Sequence, residues 1–462
     1  MNLKSNARKK HQVIFTHEGA PAKKISAVMQ LRRSVMSTML FEDTFYESGQ
    51  TIADRIVDLA GRVEPSQVAQ MATQARTEGN LRHVPLLLAY TLTRTAAGTS
   101  LPSETIASVI QRADEIPEFV ALYMKYCDKH PKTKKGILSK QAKLGLAAAF
   151  NKFDEYQFSK WDRKDAAWRL RDVMFLAHPK PKDGKQKALF EAIANDTLKP
   201  AKTWEVQLSK AGQTATTQEE KQVAKKDVFE NQLNNGKLGY LALLRNLRGM
   251  LEAGVDKNLI KTSILARHGA HKVLPFRFVA AARAAPQLEL QLDTALCDNI
   301  NEMPALKGRT VILVDVSYSM VGAKVSAKSD MDRVTAAATL ASVINAEDLR
   351  VFSFSNGVVE VPPRRGVSGV DAILRSQSNG GTYLGAAIKT IHEKVPHDRL
   401  IVITDEQSND RIPDPIAKYA YMINIAPYQN GVGYGMWTQI DGFSEYVIRF
   451  ITELENLEVE RA

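Results

Sequence analysis

Cysteine is nearly absent: Cys127 and Cys297 are the only two in 462 residues. They are too few and too far apart for a zinc ribbon or a secreted disulfide framework, so a reducing, cytoplasmic setting is expected. Long hydrophobic runs are missing too. The longest, around Pro85–Tyr90, falls far short of the ~20 apolar residues that cross a bilayer, which excludes a membrane span. No acid precedes Glu18, and residues 1–12 are basic and polar with no apolar core behind them. A secretory leader is therefore not expected, while a transit peptide stays open. Catalytic patterns are absent as well. Ser317 and Ser319 lie in no nucleophile elbow, there is no Walker loop, and Gly431-Val432-Gly433-Tyr434-Gly435 has neither the spacing nor the preceding strand of a dinucleotide fingerprint. The expectation is a protein that is not an enzyme.

What is present is an ordinary globular composition, 44% hydrophobic and 24% charged, in a chain long enough for two to four domains. The charge is unevenly placed. Residues 1–300 hold 46 Lys and Arg against 31 Asp and Glu, a net of +15, whereas residues 301–462 hold 16 against 20, a net of −4. A surplus confined to one part of the chain favours a polyanionic partner there, because releasing counterions from phosphates drives association.

From Lys24 to about Ala285 the pattern is helical. Ile52–Arg62, Ser66–Thr77, Val84–Thr93, Ser103–Arg112, Pro117–Lys125, Lys140–Lys152, Asp165–Leu176 and Lys237–Leu251 read as helices, with polar or Gly/Pro breaks at Glu78-Gly79-Asn80, His130-Pro131-Lys132 and His178–Gly184. Leu86–Leu92 and Leu144–Phe150 are apolar or small all round, which predicts that both are sandwiched between neighbours. Stacked helical pairs of solenoid type are expected, without a clean sequence period. After the apolar-acidic stretch Leu288–Glu302 the rhythm changes. Short β-branched or aromatic runs (Arg309–Val314, Leu349–Phe354, Leu400–Thr404, Tyr421–Ile425) alternate with helical segments (Met331–Asn345, Leu384–Glu393), and Ser444–Leu457 reads as a closing helix. That alternation predicts an α/β doubly wound domain with a largely parallel sheet.

The sharpest motif is Val311-Ile312-Leu313-Val314-Asp315-Val316-Ser317-Tyr318-Ser319, an apolar strand delivering a carboxylate and two hydroxyls into a turn. A hard cation such as Mg²⁺ takes about six oxygens in an octahedral array, several of them water. Further oxygens are expected from later loops at the carboxyl ends of strands. Thr382, in Asn379-Gly380-Gly381-Thr382, and Asp405, directly after Leu400–Thr404, are the candidates. The bland alternative is a helix cap at Asp315 with two serines satisfying local backbone.

This three-part arrangement resembles the metal-ion-dependent adhesion site of von Willebrand A-type domains, over residues 305–462. Proteins of the resembling family usually have glycine between the two serines, where this chain has Tyr318. Upstream, six segments occur in order: Phe15-Thr16-His17-Glu18-Gly19-Ala20-Pro21-Ala22, Gly79–Ala89, Arg112–Phe119, Thr203–Ser209, Leu238–Arg248 and Leu274–Phe278. Together they resemble the TROVE domain, over residues 12–290, and the whole chain is similar to the Ro family.

The resemblance implies a closed, HEAT-like ring of helical repeats whose basic hole takes the single-stranded ends of misfolded RNA, and whose outer surface holds a small non-coding Y-like RNA. It implies a monomeric protein within a ribonucleoprotein, an exoribonuclease as a partner, and a divalent ion, Mg²⁺, in the A-type domain. The Y-RNA surface maps to Lys160, Arg163 and His178. Read from the residues alone, Lys160, Arg163, Lys164, Arg169, Arg171, Lys180 and Lys182 form a basic cluster with Trp161 and Trp168 that suits phosphate contacts and base stacking, or else a solvated face over two core tryptophans. Arg245 and Arg248, three apart on one helix, either line a cavity or are solvated. His268 and His271 read as a surface pair. A metal-dependent protein-interaction scaffold without an RNA role is the alternative reading.

Overall fold

The computed structural model describes all residues except 1–13, 18, 23–24, 37–39, 42–46, 128–137, 163, 202, 215–216, 274, 322–323, 325–330, 427, 429, 433–434, 443–446, 449–450, 453–454 and 456–462. The chain divides into two units. One comprises Met1–Ser26, Thr44–Glu47 and Ala305–Phe443; the other comprises Ala27–Asp43, Ser48–Pro304 and Ser444–Ala462. Among the described residues no helix is long and apolar enough to cross a membrane.

The larger unit is helical. Successive short helices pack on one another, from Ala27–Met36 through to Glu289–Asn301, which is the form taken by the apolar-acidic stretch. Helix His83–Thr95 buries every residue from Val84 to Thr93, as its all-round apolar sequence predicts. The second helix expected to be sandwiched, Lys140–Phe150, is not: it buries Ala142, Gly145, Leu146, Ala149 and Phe150 along one stripe and leaves Leu144 half exposed. Gly145 sets its spacing to helix Leu101–Val109, since a Cβ there would stand 2.7 Å from Ile106 Cβ. Helix Asp165–Leu176 begins later than expected, at Leu170, because the Asp172 carboxylate accepts the Arg169 N–H and caps the start there. The long helix Gln218–Asn234 has no sequence signature of a buried face, and only Phe229 and Gln232 are buried.

An ion-pair network lies at the heart of the helical core. The Glu115 carboxylate, fully buried, receives Arg76 Nη2 at 2.7 Å and the backbone N–H groups of Gln111 and Arg112 at 2.8 and 3.0 Å. Arg82 reaches Asp114 and Glu118, and its Nε lies 3.5 Å from the same Glu115 Oε1 that Arg76 meets. Two of the quoted sequence segments, Gly79–Ala89 and Arg112–Phe119, are thus joined across the fold by charge.

The smaller unit holds a two-stranded hairpin, β1 (Ile14–Phe15) with β2 (Pro21–Ala22), and a six-stranded sheet. The sheet strands are β3 (Leu306–Asp315), β4 (Ala346–Phe354), β5 (Val358–Val361), β6 (Arg399–Thr404), β7 (Tyr419–Asn424) and β8 (Thr438–Asp441), in the order β5-β4-β3-β6-β7-β8. All neighbours are parallel except β4 with β5. Helix Arg333–Val343 is buried along its entire length. The chain leaves β3 toward β4 on one side and later returns through β6 on the other, so the end of β3 lies at the topological switch point, where open α/β sheets bind ligands. Residues 14–22 are expected within the helical domain but pack in this α/β unit, because Thr16 and His17 hydrogen-bond to residues 407 and 408. Of the expected closing helix Ser444–Leu457, residues 447–448, 451–452 and 455 are helical; the rest lie outside the described residues.

Candidate metal centre and nucleic-acid interface

Pairing in the sheet builds a polar row across the carboxyl ends of the strands. Asp315 pairs with Phe354, and Thr404 with Asn424, which in turn pairs with Asp441. Because Val314 pairs with Ile403, Asp315 stands beside Thr404 on the same face. The Thr404 hydroxyl donates to Asp315 Oδ2 at 2.7 Å, and the Ser317 N–H donates to Asp315 Oδ1 at 2.9 Å. The Ser317 and Ser319 hydroxyl oxygens are 3.3 Å apart. Loop 379–382 is brought to the same turn by two bonds: Tyr318 N–H to Gly380 O at 3.0 Å, and Asn379 Nδ2 to Val316 O at 2.6 Å.

Asp315, Ser317, Ser319, Thr382 and Asp405 are all at least 95% buried. Burial, followed by the neighbouring Asp405 carboxylate, pushes the Asp315 carboxyl well above the ordinary carboxylate range, against hydrogen bonds from Ser317 and Thr404 that pull it down. Two buried carboxylates with three buried hydroxyls, at the end of a sheet, are a donor set matched to a hard divalent cation. Among the described residues no three His, Cys, Asp or Glu side chains gather as a metal cluster, so a cation here depends on hydroxyl oxygens. Tyr318 does not cover the turn. It opens the short helix Tyr318–Val321 with 65% of its surface exposed and is not among the residues with positive φ, so the position makes no demand for glycine. Thr404 is the site residue that sequence reasoning missed: its role follows from register between distant strands.

The RNA candidates are more dispersed in character. Lys160 lies in the last turn of helix Glu155–Trp161, with its ammonium 5.2 Å from the Trp161 ring centre and the Arg112 guanidinium 4.0 Å from the same ring. His178 is exposed and caps helix Leu170–Ala177 in a left-handed conformation, φ 50°. Arg163 lies outside the described residues. Trp161 and Trp168 are partly buried against the helical core, which matches the core-tryptophan alternative. Arg169 is engaged by Asp196 at 2.6 Å, while Lys180 is exposed. Arg245 and Arg248 are both exposed on helix Tyr240–Glu252, and Arg248 approaches Glu252 at 3.7 Å. Arg245 also bears on Arg277, whose guanidinium is held below its usual range by burial and by the Arg245 charge. Arg277 thus adds a cation that the sequence reading did not single out. His268 and His271 are exposed.

Two family models match: the TROVE domain over residues 197–342 and the von Willebrand factor type A domain over residues 310–407. The chain is therefore similar to TROVE domains over residues 197–342 and to A-type domains over residues 310–407. No curated protein sequence matches it. Its structure is similar to the crystal structure of the Ro (RSR) protein of Deinococcus radiodurans, with a TM-score of 0.60 over 92% of this chain and 99% of that one, at 16% identity. It shares the fold of that protein.

Proposed function

We propose that this chain is a Ro-type RNA-binding protein. The helical unit binds a small non-coding, Y-like RNA and the single-stranded ends of misfolded RNA, and the protein acts in RNA quality control within a ribonucleoprotein. The observation that carries this reading is the basic surplus of residues 27–300, which hold 40 Lys and Arg against 30 Asp and Glu, with Lys160, His178, Arg245 and Arg248 accessible on that part of the chain. On this reading the function is binding, not catalysis. In the A-type domain, Asp315, Ser317, Ser319, Thr382 and Asp405 would hold Mg²⁺. With few carboxylates in its shell the ion keeps residual positive charge and can attract a phosphate or a partner's carboxylate. An exoribonuclease is the protein partner that the Ro likeness implies.

Replacing Lys160, Arg163 and His178 together with alanine is expected to weaken binding of a structured RNA by about 1–3 kcal/mol, the scale of a few lost charge-assisted contacts. Filter binding of the full chain measures this. Unchanged affinity would move the RNA surface away from these residues.

A further inference from the structure

The turn between β1 and β2 is closed on itself. Thr16 N–H donates to Ala20 O at 2.9 Å, and Ala20 N–H donates to Thr16 Oγ1 at 3.0 Å. The same turn is bound to the loop that follows β6. Thr16 Oγ1 donates to Ser408 O at 2.9 Å, Ala20 N–H donates to the same carbonyl at 3.2 Å, and His17 N–H donates to Gln407 Oε1 at 2.7 Å. The His17 ring meets Tyr428 edge-on at 5.9 Å. Thr16, Ala20, Gln407 and Ser408 are all buried, whereas His17 is exposed.

Gln407 and Ser408 carry that anchorage on to two candidate metal ligands. Gln407 N–H donates to Asp405 Oδ1 at 3.1 Å, and its Nε2 donates to Asp405 O at 3.3 Å and Asn430 O at 2.9 Å. Ser408 Oγ donates to Asp410 Oδ1 at 2.7 Å and lies 3.4 Å from Thr382 O, and Asn409 N–H donates to Thr382 O at 2.8 Å. Between them Glu406 is held in the left-handed region, φ 59°, a conformation that persists for a glutamate only where the surroundings over-determine it.

The geometry points to the hairpin of residues 14–22 as a clamp on the metal site: acting through Gln407 and Ser408, it orients Asp405 and Thr382 toward the cation. Thr16 and Gln407 are positioning residues, and this assignment rests on the metal reading above. A divalent ion with few charged ligands depends on how its oxygens are aimed, and removing a group that aims a ligand typically costs about 10–100-fold in metal affinity. The clamp also gives the N-terminal motif Phe15–Ala22 a role that neither RNA binding nor the helical core supplies.

The test uses the full chain with Gln407→Ala, Thr16→Val, Thr16→Ser and Asp315→Ala. Mn²⁺ binding is read by calorimetry, and amide hydrogen exchange is read over residues 404–410. Gln407→Ala and Thr16→Val are expected to lower Mn²⁺ affinity by about 10–100-fold and to speed exchange in the loop, while Thr16→Ser keeps wild-type values for both. Wild-type affinity and exchange in both variants, with Mn²⁺ lost only in Asp315→Ala, would overturn the clamp. Faster exchange throughout β6 would overturn it too, since the effect would then be global. If the wild-type chain takes up no Mn²⁺, the metal reading fails. Loop exchange then decides the clamp alone: faster exchange in the variants supports it, and unchanged exchange overturns it.

Discussion

Asp315→Ala is expected to eliminate Mg²⁺ and Mn²⁺ uptake, and with it the stabilisation that the metal gives the A-type domain. In the wild-type chain Asp315 and Asp405 are both buried, and burial, followed by repulsion from Asp405, raises the Asp315 carboxyl. A divalent ion relieves that repulsion and binds only the folded site, so it should stabilise the domain by about 2.7 kcal/mol at a hundredfold excess over its Kd. Thermal melts with EDTA and with saturating Mn²⁺ should therefore separate for wild type and coincide for Asp315→Ala. Because Asp315 lies in the α/β unit, RNA binding by the helical unit is expected to survive the substitution. Equal metal uptake by both proteins, measured by calorimetry, would remove the site.

Glu115→Ala should be among the most damaging single substitutions in the helical unit. It removes the acceptor of Arg76 and of two backbone N–H groups from a fully buried position, and leaves the Arg76 side chain, itself only 10% exposed, without its carboxylate. Breaking a buried pair by deleting one partner typically costs about 3–5 kcal/mol, because the remaining charge is stranded. Urea denaturation should show a loss of that size, while Arg62→Ala, which breaks an exposed pair with Asp58, should cost under about 1 kcal/mol. A loss below about 1 kcal/mol for Glu115→Ala would mean that the network is not what joins these helices.

Glu115 also shows how far the sequence could be read. The segments Gly79–Ala89 and Arg112–Phe119 carry a family resemblance in sequence, and the structure accounts for them as the two sides of one ion-pair network. The strands of the α/β unit were legible because β-branched runs such as Val311–Val314 and Leu400–Ile403 are buried throughout. The Asp315–Ser317–Ser319 turn was legible because its spacing is local. Thr404 and Gln407 were not, since their contacts depend on sheet register and on a hairpin about 390 positions away. Helix Gln218–Asn234 escaped notice for the opposite reason: it is polar all round, so no apolar period marks it. Arg169 read as a phosphate ligand within a basic cluster, yet it is engaged by Asp196, 27 residues further on.

The central claim is that RNA is held by the basic helical unit. Ultraviolet crosslinking of the full chain to RNA recovered with it from cells, with crosslinked peptides mapped by mass spectrometry, tests this most directly. Crosslinks should fall within residues 27–304, including the peptides around Lys160–His178 and Arg245–Arg248, and should fade steeply as salt rises, because several phosphates are neutralised there. Crosslinks confined to residues 305–443, or recovery of the chain without RNA, would contradict the account.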